Sequence, residues 1–307
     1  MLIVARRLLS QYDRRCTIRR LAVRRFKIPN RTCITFLTDL GTADTSIGQL
    51  KGVARGVNHN LDLVDLTHQV PLGQVGIAAF LWNESIWSFP SSTIHVGLVG
   101  LDPIQPGRLI AAEIGDYRFV CPDNGILSYI LDGAAAIRAV ALDETTWSPR
   151  QTSPPNHLAT MAAAWSLGGK LAEFGSVITD PLMTLPGTEI IRRRTSVSGI
   201  VARIDRRGNL VTNIDVADIP DDQSDVQIEI GSLKVTGIAD PWTTRTVASS
   251  LPENSESAQA VADGDPVAWI EAKRLIIGIR NGHAGDEFQV EVGRKVLVRW
   301  SANEEKG

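Results

Sequence analysis

Two carboxylates five residues apart open the regular part of the chain. In "TFLTDLGTADTSIGQLKG" (residues 35–52) an apolar run stops at Thr38-Asp39, Gly41 follows, and Asp44 precedes a helix-like pattern. In an open α/β sheet, ligands bind beyond the carboxyl ends of the strands. A carboxylate at such an end can accept both hydrogens of a vicinal ribose diol in charge-assisted bonds. Gly41 allows the sharp turn this requires. Asp44, beside the positive end of the next helix, can pair with a ligand ammonium. The alternative is that Asp39 ends a strand and Asp44 caps a helix. The sequence has no GxGxxG or GxxxxGK[ST], so ordinary dinucleotide and triphosphate cradles have no support.

The remaining chemistry-bearing residues exclude as much as they suggest. The five histidines show no HExxH or other close ligand spacing, which argues against a catalytic metal. His68, in "DLTH", reads as a structural tie between a strand end and its loop. His95 alternates within an apolar strand and reads as a core residue, while His59 and His283 carry no argument beyond their neighbours. Cys16, Cys33 and Cys121 lie far apart, so a disulfide framework is not expected and a reducing cytoplasm is the default.

The elements that must position Asp39 follow from periodicity. Cys33–Thr38 reads as a strand and Ser46–Val57 as a helix with Ile47, Leu50, Val53 and Ala54 on one face. Leu61–Leu66 and Thr93–Val99 read as strands separated by a helix over Gln74–Trp87. Strands alternating with such helices imply βαβ units and a parallel sheet. Leu109–Ile114 and Tyr117–Cys121 form a pair of short strands joined at Gly115-Asp116. "PDNG" (122–125) is a turn, Ile126–Leu131 begins a helix, and His157–Leu167 is another. "DPLMTLPGTEIIRRRTS" (180–196) suits a linker. Beyond it, strands are expected over 197–204, 226–230, 233–237, 266–271, 275–279 and 288–298, an all-β module. "LPENSESAQAVADGD" (251–265) reads as a mobile loop.

The expected organisation is therefore an α/β N-terminal domain with a Rossmann-like, mainly parallel sheet over 32–188 and a barrel-like all-β domain over 195–303. Residues 1–31 are crowded with arginine, and they read as a poorly ordered extension or as an amphipathic arm for acidic surfaces or nucleic acid. A net charge of -2 gives no bias toward nucleic acid or anionic membrane, and no apolar run approaches the ~20 residues that span a bilayer.

The opening stretch resembles the start of the S-adenosylmethionine hydroxide adenosyltransferase family, which is similar in turn to the fluorinases and chlorinases. Further matches are "VDLTHQVPLGQVGIAAFLW" (64–82), "TIHVGLV" (93–99), "FVCPDNGIL" (119–127), "IDRRGNLVTNI" (204–214) and "IIGIRNGHA" (276–284). Together they stand in the family's order with near-family spacing over roughly residues 32–300. The resemblance implies a trimer whose site lies between one subunit's N-terminal domain and its neighbour's C-terminal domain. It implies that Asp39 holds the ribose hydroxyls, and that Asp44 and Ser46 lie near the methionine ammonium and carboxylate. Asp205 and Asn209 match the methionine-binding segment, with Arg207 where the family often has an aromatic residue. Lys273 falls where halogenases place a carboxylate-binding arginine. A lysine pairs with carboxylate but lacks the bidentate fork. Arg280, Asn281 and Gly282 match the segment at the adenine edge.

The implied activity is attack of water or hydroxide at C5′ of S-adenosylmethionine as substrate, giving adenosine and L-methionine without cofactor or metal. The family's hydrolases associate an Asp–Arg–His trio with the water, and the match breaks there. Without gaps, "LVGLDPIQPGR" (98–108) puts Gly100 at the Asp position and Gly107 at the Arg position. A shift of two residues brings Asp102-Pro103 onto the Asp-Pro, with Arg108 one residue short. His157 of "PPNHLATMAAA" is the candidate histidine. Asp102, Arg108 and His157 are thus the candidate catalytic residues, against a surface turn and a helix-start residue. A halogenase is the nearest alternative, since "DLGTADTS" looks like a halogenase opening and Gly100 could leave room for a halide. Against it, the fluorinases' long insertion before this turn is missing, and their site tryptophan aligns with Gly73. A non-catalytic S-adenosylmethionine or adenosine binder is the third reading.

Overall fold

Ile34 to Thr38 are buried on both faces of the strand that carries them, which only the interior of a covered sheet allows. The structure, a computed structural model, describes residues 31–143, 153–220, 225–239 and 264–301. The expected N-terminal extension, apart from Arg31, and the expected loop 251–265, apart from its last two residues, lie outside the described residues.

The first sheet is built from β1 (Thr32–Thr38), β2 (Leu61–Thr67), β3 (Ile94–Leu98), β4 (Leu109–Ile114), β5 (Tyr117–Pro122), β6 (Ile137–Leu142) and β7 (Gly175–Val177). Its order is β2-β1-β3-β5-β4-β6-β7. β1 pairs in parallel with β2 and β3, and β3 with β5, while β4, β6 and β7 add antiparallel pairings. The sheet is therefore mixed, with its parallel half around β1. Helices cover both faces. α1 (Ser46–Val57) and α4 (Pro154–Trp165) lie on one face, where Leu50, Ala54, Leu158, Ala162 and Trp165 pack on Ile34 and Phe36. α2 (Val75–Ser85) covers the other, with Ala78 and Trp82 against Leu37 and Phe119. The short α3 (Ser128–Leu131) follows the "PDNG" turn.

The second sheet holds β8 (Ile191–Arg193), β9 (Ser196–Ile204), β10 (Leu210–Asp215), β11 (Gln227–Ile230), β12 (Leu233–Thr236), β13 (Pro266–Glu271), β14 (Arg274–Ile279) and β15 (Lys295–Arg299), with α5 (Ala284–Glu287) between the last two. Every strand pairing is antiparallel, in the order β12-β11-β15-β9-β10-β14-β13, with β8 beside β9. A bridge from Ala239 to Trp269 nearly closes the path into a barrel. Val197, Val201, Leu210, Ile228, Ile277 and Val298 fill its interior.

Two departures from the sequence pattern have clear causes. β10 was not expected, because its middle is polar. Thr212 and Asn213 are nonetheless buried, since Thr212 Oγ1 donates to the Leu275 carbonyl (2.8 Å) and Asn213 Nδ2 to the Thr188 carbonyl (2.9 Å). The strand expected over 288–298 is cut to β15, because Gln289 and Gly293 adopt positive φ of 51° and 87°.

The chain between the two sheets is strapped to both. Met183 N–H donates to Asp123 (2.8 Å), Leu185 N–H to Ser128 Oγ (2.8 Å), and the Thr188 carbonyl accepts from Asn213. α2 is the seam. Its Phe80 packs with Ala202, Val211 and Ile276 of the second sheet, Arg274 lies 5.5 Å over the Phe80 ring, and Glu84 lies 3.7 Å from Arg203. Burial pushes the Glu84 carboxyl up, with Arg203 opposing.

Candidate functional site

The chain enters the first sheet at β1, adds β2 on one side and then crosses to β3 on the other. Strand order reverses there, the place at which open α/β sheets bind their ligands. Asp39 stands at that point. Its Oδ2 accepts the Gly73 N–H (2.9 Å) from the loop after β2 and the Gly100 N–H (3.0 Å) from the loop after β3. Its own N–H donates to the Leu98 carbonyl (3.2 Å). Three loops therefore fix one carboxylate oxygen, and Oδ1 takes no hydrogen bond among the described residues. A half-buried carboxylate held in this way presents one fixed acceptor to a ligand.

The glycines make the cradle. Gly41, Gly73 and Gly100 all have positive φ, at 73°, 72° and 65°. A Cβ on Gly100 would lie 2.7 Å from Val75 Cγ2 and 3.3 Å from Asn124 Nδ2. Position 100 therefore cannot carry a side chain without displacing its neighbours, and the missing Cβ opens no room for a halide. Asn124 is fixed by donating Nδ2 to the Val99 carbonyl (2.9 Å). Gly73 and Gly100 act through backbone N–H groups, which no side-chain motif reports. The legible signal is a glycine shortly after each parallel strand.

Asp44 and Ser46 lie at the start of α1. Asp44 Oδ1 accepts the Ser46 N–H (2.9 Å), and that bond holds the exposed Asp44 carboxyl below its usual range. His157, in the first turn of α4, is 3% exposed. α1 and α4 follow strands that end at the same sheet edge, and Asn58 Nδ2 donates to Ser166 Oγ (2.8 Å) beyond their far ends. Both helices therefore begin on the Asp39 side.

Asp102 closes its own turn. Oδ1 accepts from Gln105 N–H (2.9 Å) and Ile104 N–H (2.7 Å), which lowers its pKa. Arg108 is committed elsewhere: Nε and Nη2 donate to Asp123 Oδ2, and Nη1 to Asp180 at 2.8 and 3.0 Å. Those carboxylates raise its pKa, that of Asp123 most. The structure thus places Asp102, Arg108 and His157 near one edge of the sheet, with Asp102 bonded within its own turn and Arg108 clasped to Asp123 and Asp180.

The barrel residues form a second group. Burial alone would raise the Asp205 pKa, but hydrogen bonds from Asn209 and Arg207 outweigh it and the net shift is downward. Asp205 Oδ1 accepts the Arg207 and Asn209 N–H groups (2.8 and 2.9 Å), and Oδ2 accepts Asn209 Nδ2 (2.9 Å). This hairpin abuts the turn after β14: the Gly285 N–H donates to the Gly208 carbonyl (3.1 Å), and a Cβ on Gly208 would strike His283. Asp205, Asn209, Arg280, Asn281 and Gly282 are thus neighbours. Lys273, at φ 71°, lies at the other end of β14, about 20 Å away at ~3.3 Å per residue.

A mixed α/β sheet with a cradled carboxylate at its switch point, joined to an antiparallel near-barrel, defines the class of protein. Comparison with known proteins supplies the family. Residues 34–175 match the SAM hydroxide adenosyltransferase N-terminal domain. The chain is 31% identical to the (R)-S-adenosyl-L-methionine hydrolase of Salinispora tropica (strain ATCC BAA-916 / DSM 44818 / JCM 13857 / NBRC 105044 / CNB-440) over 186 residues, 58% of this chain and 70% of that one. It is 25% identical to the fluorinase of Actinoplanes sp. (strain N902-109) over 285 residues, 81% and 90% of the two chains. The fold matches a crystal structure of an uncharacterized conserved protein from Thermotoga maritima, with a TM-score of 0.72, 22% identity and coverage of 87% and 100%. The chain belongs to the SAM hydroxide adenosyltransferase family.

Proposed function

We propose that the protein hydrolyses S-adenosyl-L-methionine to adenosine and L-methionine. The observation that carries the reading is the Asp39 cradle. Two backbone donors hold one carboxylate oxygen at the switch point and leave the other to meet a ribose diol. The sulfonium leaves as a neutral thioether, so the reaction needs no general acid. It needs a water held in line with C5′, and its lost proton passes to a base or to solvent. Positioning and desolvation then supply much of the rate. Asp102, Arg108 and His157 are proposed to orient that water. Asp44, Ser46, Asp205, Asn209 and Lys273 are proposed for the methionine end, and Arg280, Asn281 and Gly282 for adenine. The reading needs no cofactor.

The two groups of residues support a site shared between subunits. Asp205 is two residues from Arg203, which faces Glu84 near the end of α2, whereas Gly73, on the Asp39 cradle, immediately precedes α2. An 11-residue helix separates them by about 15 Å. A neighbouring copy would bring its barrel group to the Asp39 edge, where Leu72 and Ile104 are 86% and 85% exposed. From the family resemblance we propose a homotrimer, and from the cysteine usage a cytoplasmic enzyme. Among the described residues, no helix is long and apolar enough to cross a membrane.

Product analysis with and without chloride tests the activity. Adenosine and methionine in both conditions support the hydrolase. Chlorodeoxyadenosine would make the protein a halogenase, and unchanged ligand at high protein concentration would make it a binder.

A further inference from the structure

Beneath the Asp39 loop runs a chain of polar groups that the ligand reading leaves unused. Leu40 N–H donates to Thr38 Oγ1 (3.3 Å), and Thr38 Oγ1 lies 3.0 Å from His68 Nδ1. In the Nε2–H tautomer of His68, the Thr38 hydroxyl donates to Nδ1 while its oxygen accepts from Leu40. Nε2 lies 3.1 Å from Asp65 Oδ1, and Asp65 Oδ2 accepts from Lys51 Nζ (2.6 Å). The polar series thus runs from the end of β1, through the loop after β2, to β2 itself and across to α1, with the His68–Asp65 step a close approach that lacks hydrogen-bond geometry. Backbone bonds run alongside: Gly41 N–H donates to the His68 carbonyl (2.8 Å) and Val70 N–H to the Thr38 carbonyl (3.4 Å). Thr38 is fully buried and His68 is 6% exposed. A Thr–His–Asp series would suit a nucleophile elsewhere, but a hydroxyl with no exposure cannot meet a substrate. The buried Thr38–His68 contact and the backbone bonds beside it instead fix one arrangement of the two loops.

We propose that Thr38 and His68 are positioning residues, which lock the loops after β1 and β2 together and so hold Asp39 and the Gly73 N–H in the geometry that receives the ligand. The inference rests on the ligand reading above. Thr38 and Leu40 flank Asp39, and both belong to the chain. His68 lies in the same loop as Gly73.

Thr38→Val tests this, because it removes the hydroxyl at nearly constant shape, and Thr38→Ser restores it. Two quantities are measured on the full chain: the affinity for S-adenosylmethionine by calorimetry, and amide exchange at Gly73, Gly100 and, as a control in the barrel, Val211. Thr38→Val should weaken binding about tenfold, the effect of one or two lost hydrogen bonds. It should also speed exchange at Gly73 and Gly100 while sparing Val211, and Thr38→Ser should restore both. Unchanged affinity and exchange in Thr38→Val would overturn the proposal, as would faster exchange at all three amides alike. If Thr38→Val does not fold, His68→Asn decides: it keeps an acceptor near Nδ1 but cannot reach Asp65, so the same selective change is expected, and wild-type behaviour overturns the inference. If the wild type fails to bind S-adenosylmethionine, the ligand reading falls, and exchange at Gly73 and Gly100 alone then supports or overturns the positioning role.

Discussion

Asp39→Asn separates the two jobs of one carboxylate. Oδ2 accepts two N–H groups, from Gly73 at 2.9 Å and Gly100 at 3.0 Å. An amide nitrogen there would face two donors, so asparagine must set its oxygen at that point. Its NH2 then occupies the position of Oδ1, and the outward atom changes from acceptor to donor while volume and cradle persist. In the free protein, two charge-assisted bonds become neutral ones, a loss of ~1–2 kcal/mol in total. In the complex, a ribose hydroxyl loses a charged acceptor worth about 1.5–3 kcal/mol, which is roughly a ten- to hundredfold loss of affinity. Calorimetric titration should show this loss for both S-adenosylmethionine and adenosine, which share the ribose, and no loss for methionine. Urea unfolding should stay cooperative. Unchanged affinity for the nucleosides, or an equal loss for methionine, would refute the assignment of Asp39 to the ribose.

Other outcomes follow from the same geometry. Gly100→Ala forces a side chain onto a positive φ and against Val75, which should cost ~2–4 kcal/mol in urea denaturation and weaken ligand binding; a variant as stable as wild type would show that the loop has room. Burial pushes the pKa of His95 down to about 4 from 6.5. The unfolded chain therefore takes up a proton the folded chain refuses, and stability, complete above pH 6.5, should fall by up to roughly 3 kcal/mol as the pH drops toward 4. His95→Asn should flatten that dependence, and an unaltered slope would assign it to other groups. Arg108→Ala strips the cation from Asp123, whose side chain is 4% exposed, so stability should drop about 1–3 kcal/mol. A further ~10²–10⁴-fold loss of turnover in folded protein would mark a water-positioning role, and intact turnover would leave Arg108 a structural clasp.

β1 and β3 were legible because burial on both faces demands continuous apolar runs, as in "ITFL" and "IHVGL". The hairpin of β4 and β5 was legible from its Gly-Asp turn. β7 and β8 were not, since short strands with mostly exposed residues leave no apolar pattern. β10 was hidden because tertiary hydrogen bonds, not apolar character, keep Thr212 and Asn213 inside. The same division holds at the candidate site. The position of Asp39 at a strand end could be read from the sequence, as could His68 tying its loop to the strand and His95 lying in the core. The two N–H groups that cradle Asp39 belong to glycines, whose side chains report nothing. The clasp of Arg108 on Asp123 and Asp180 spans 15 and 72 positions, and no local spacing encodes it.

Helix α2 touches the Asp39 cradle at its first residues and the barrel at Phe80 and Glu84, so it behaves as a gauge block whose length and twist are both in use. Adding or deleting one residue between Val75 and Phe80 would slide the barrel contacts by about 1.5 Å and swing them through about 100°. Phe80 would turn away from Ala202 and Val211, and Glu84 from Arg203. No residue of α2 is fully exposed, so point substitutions along it should be felt as changes in packing, and any change of length there must be matched by a change in the barrel. Functional relatives should accordingly keep both the apolar character of this helix and its residue count.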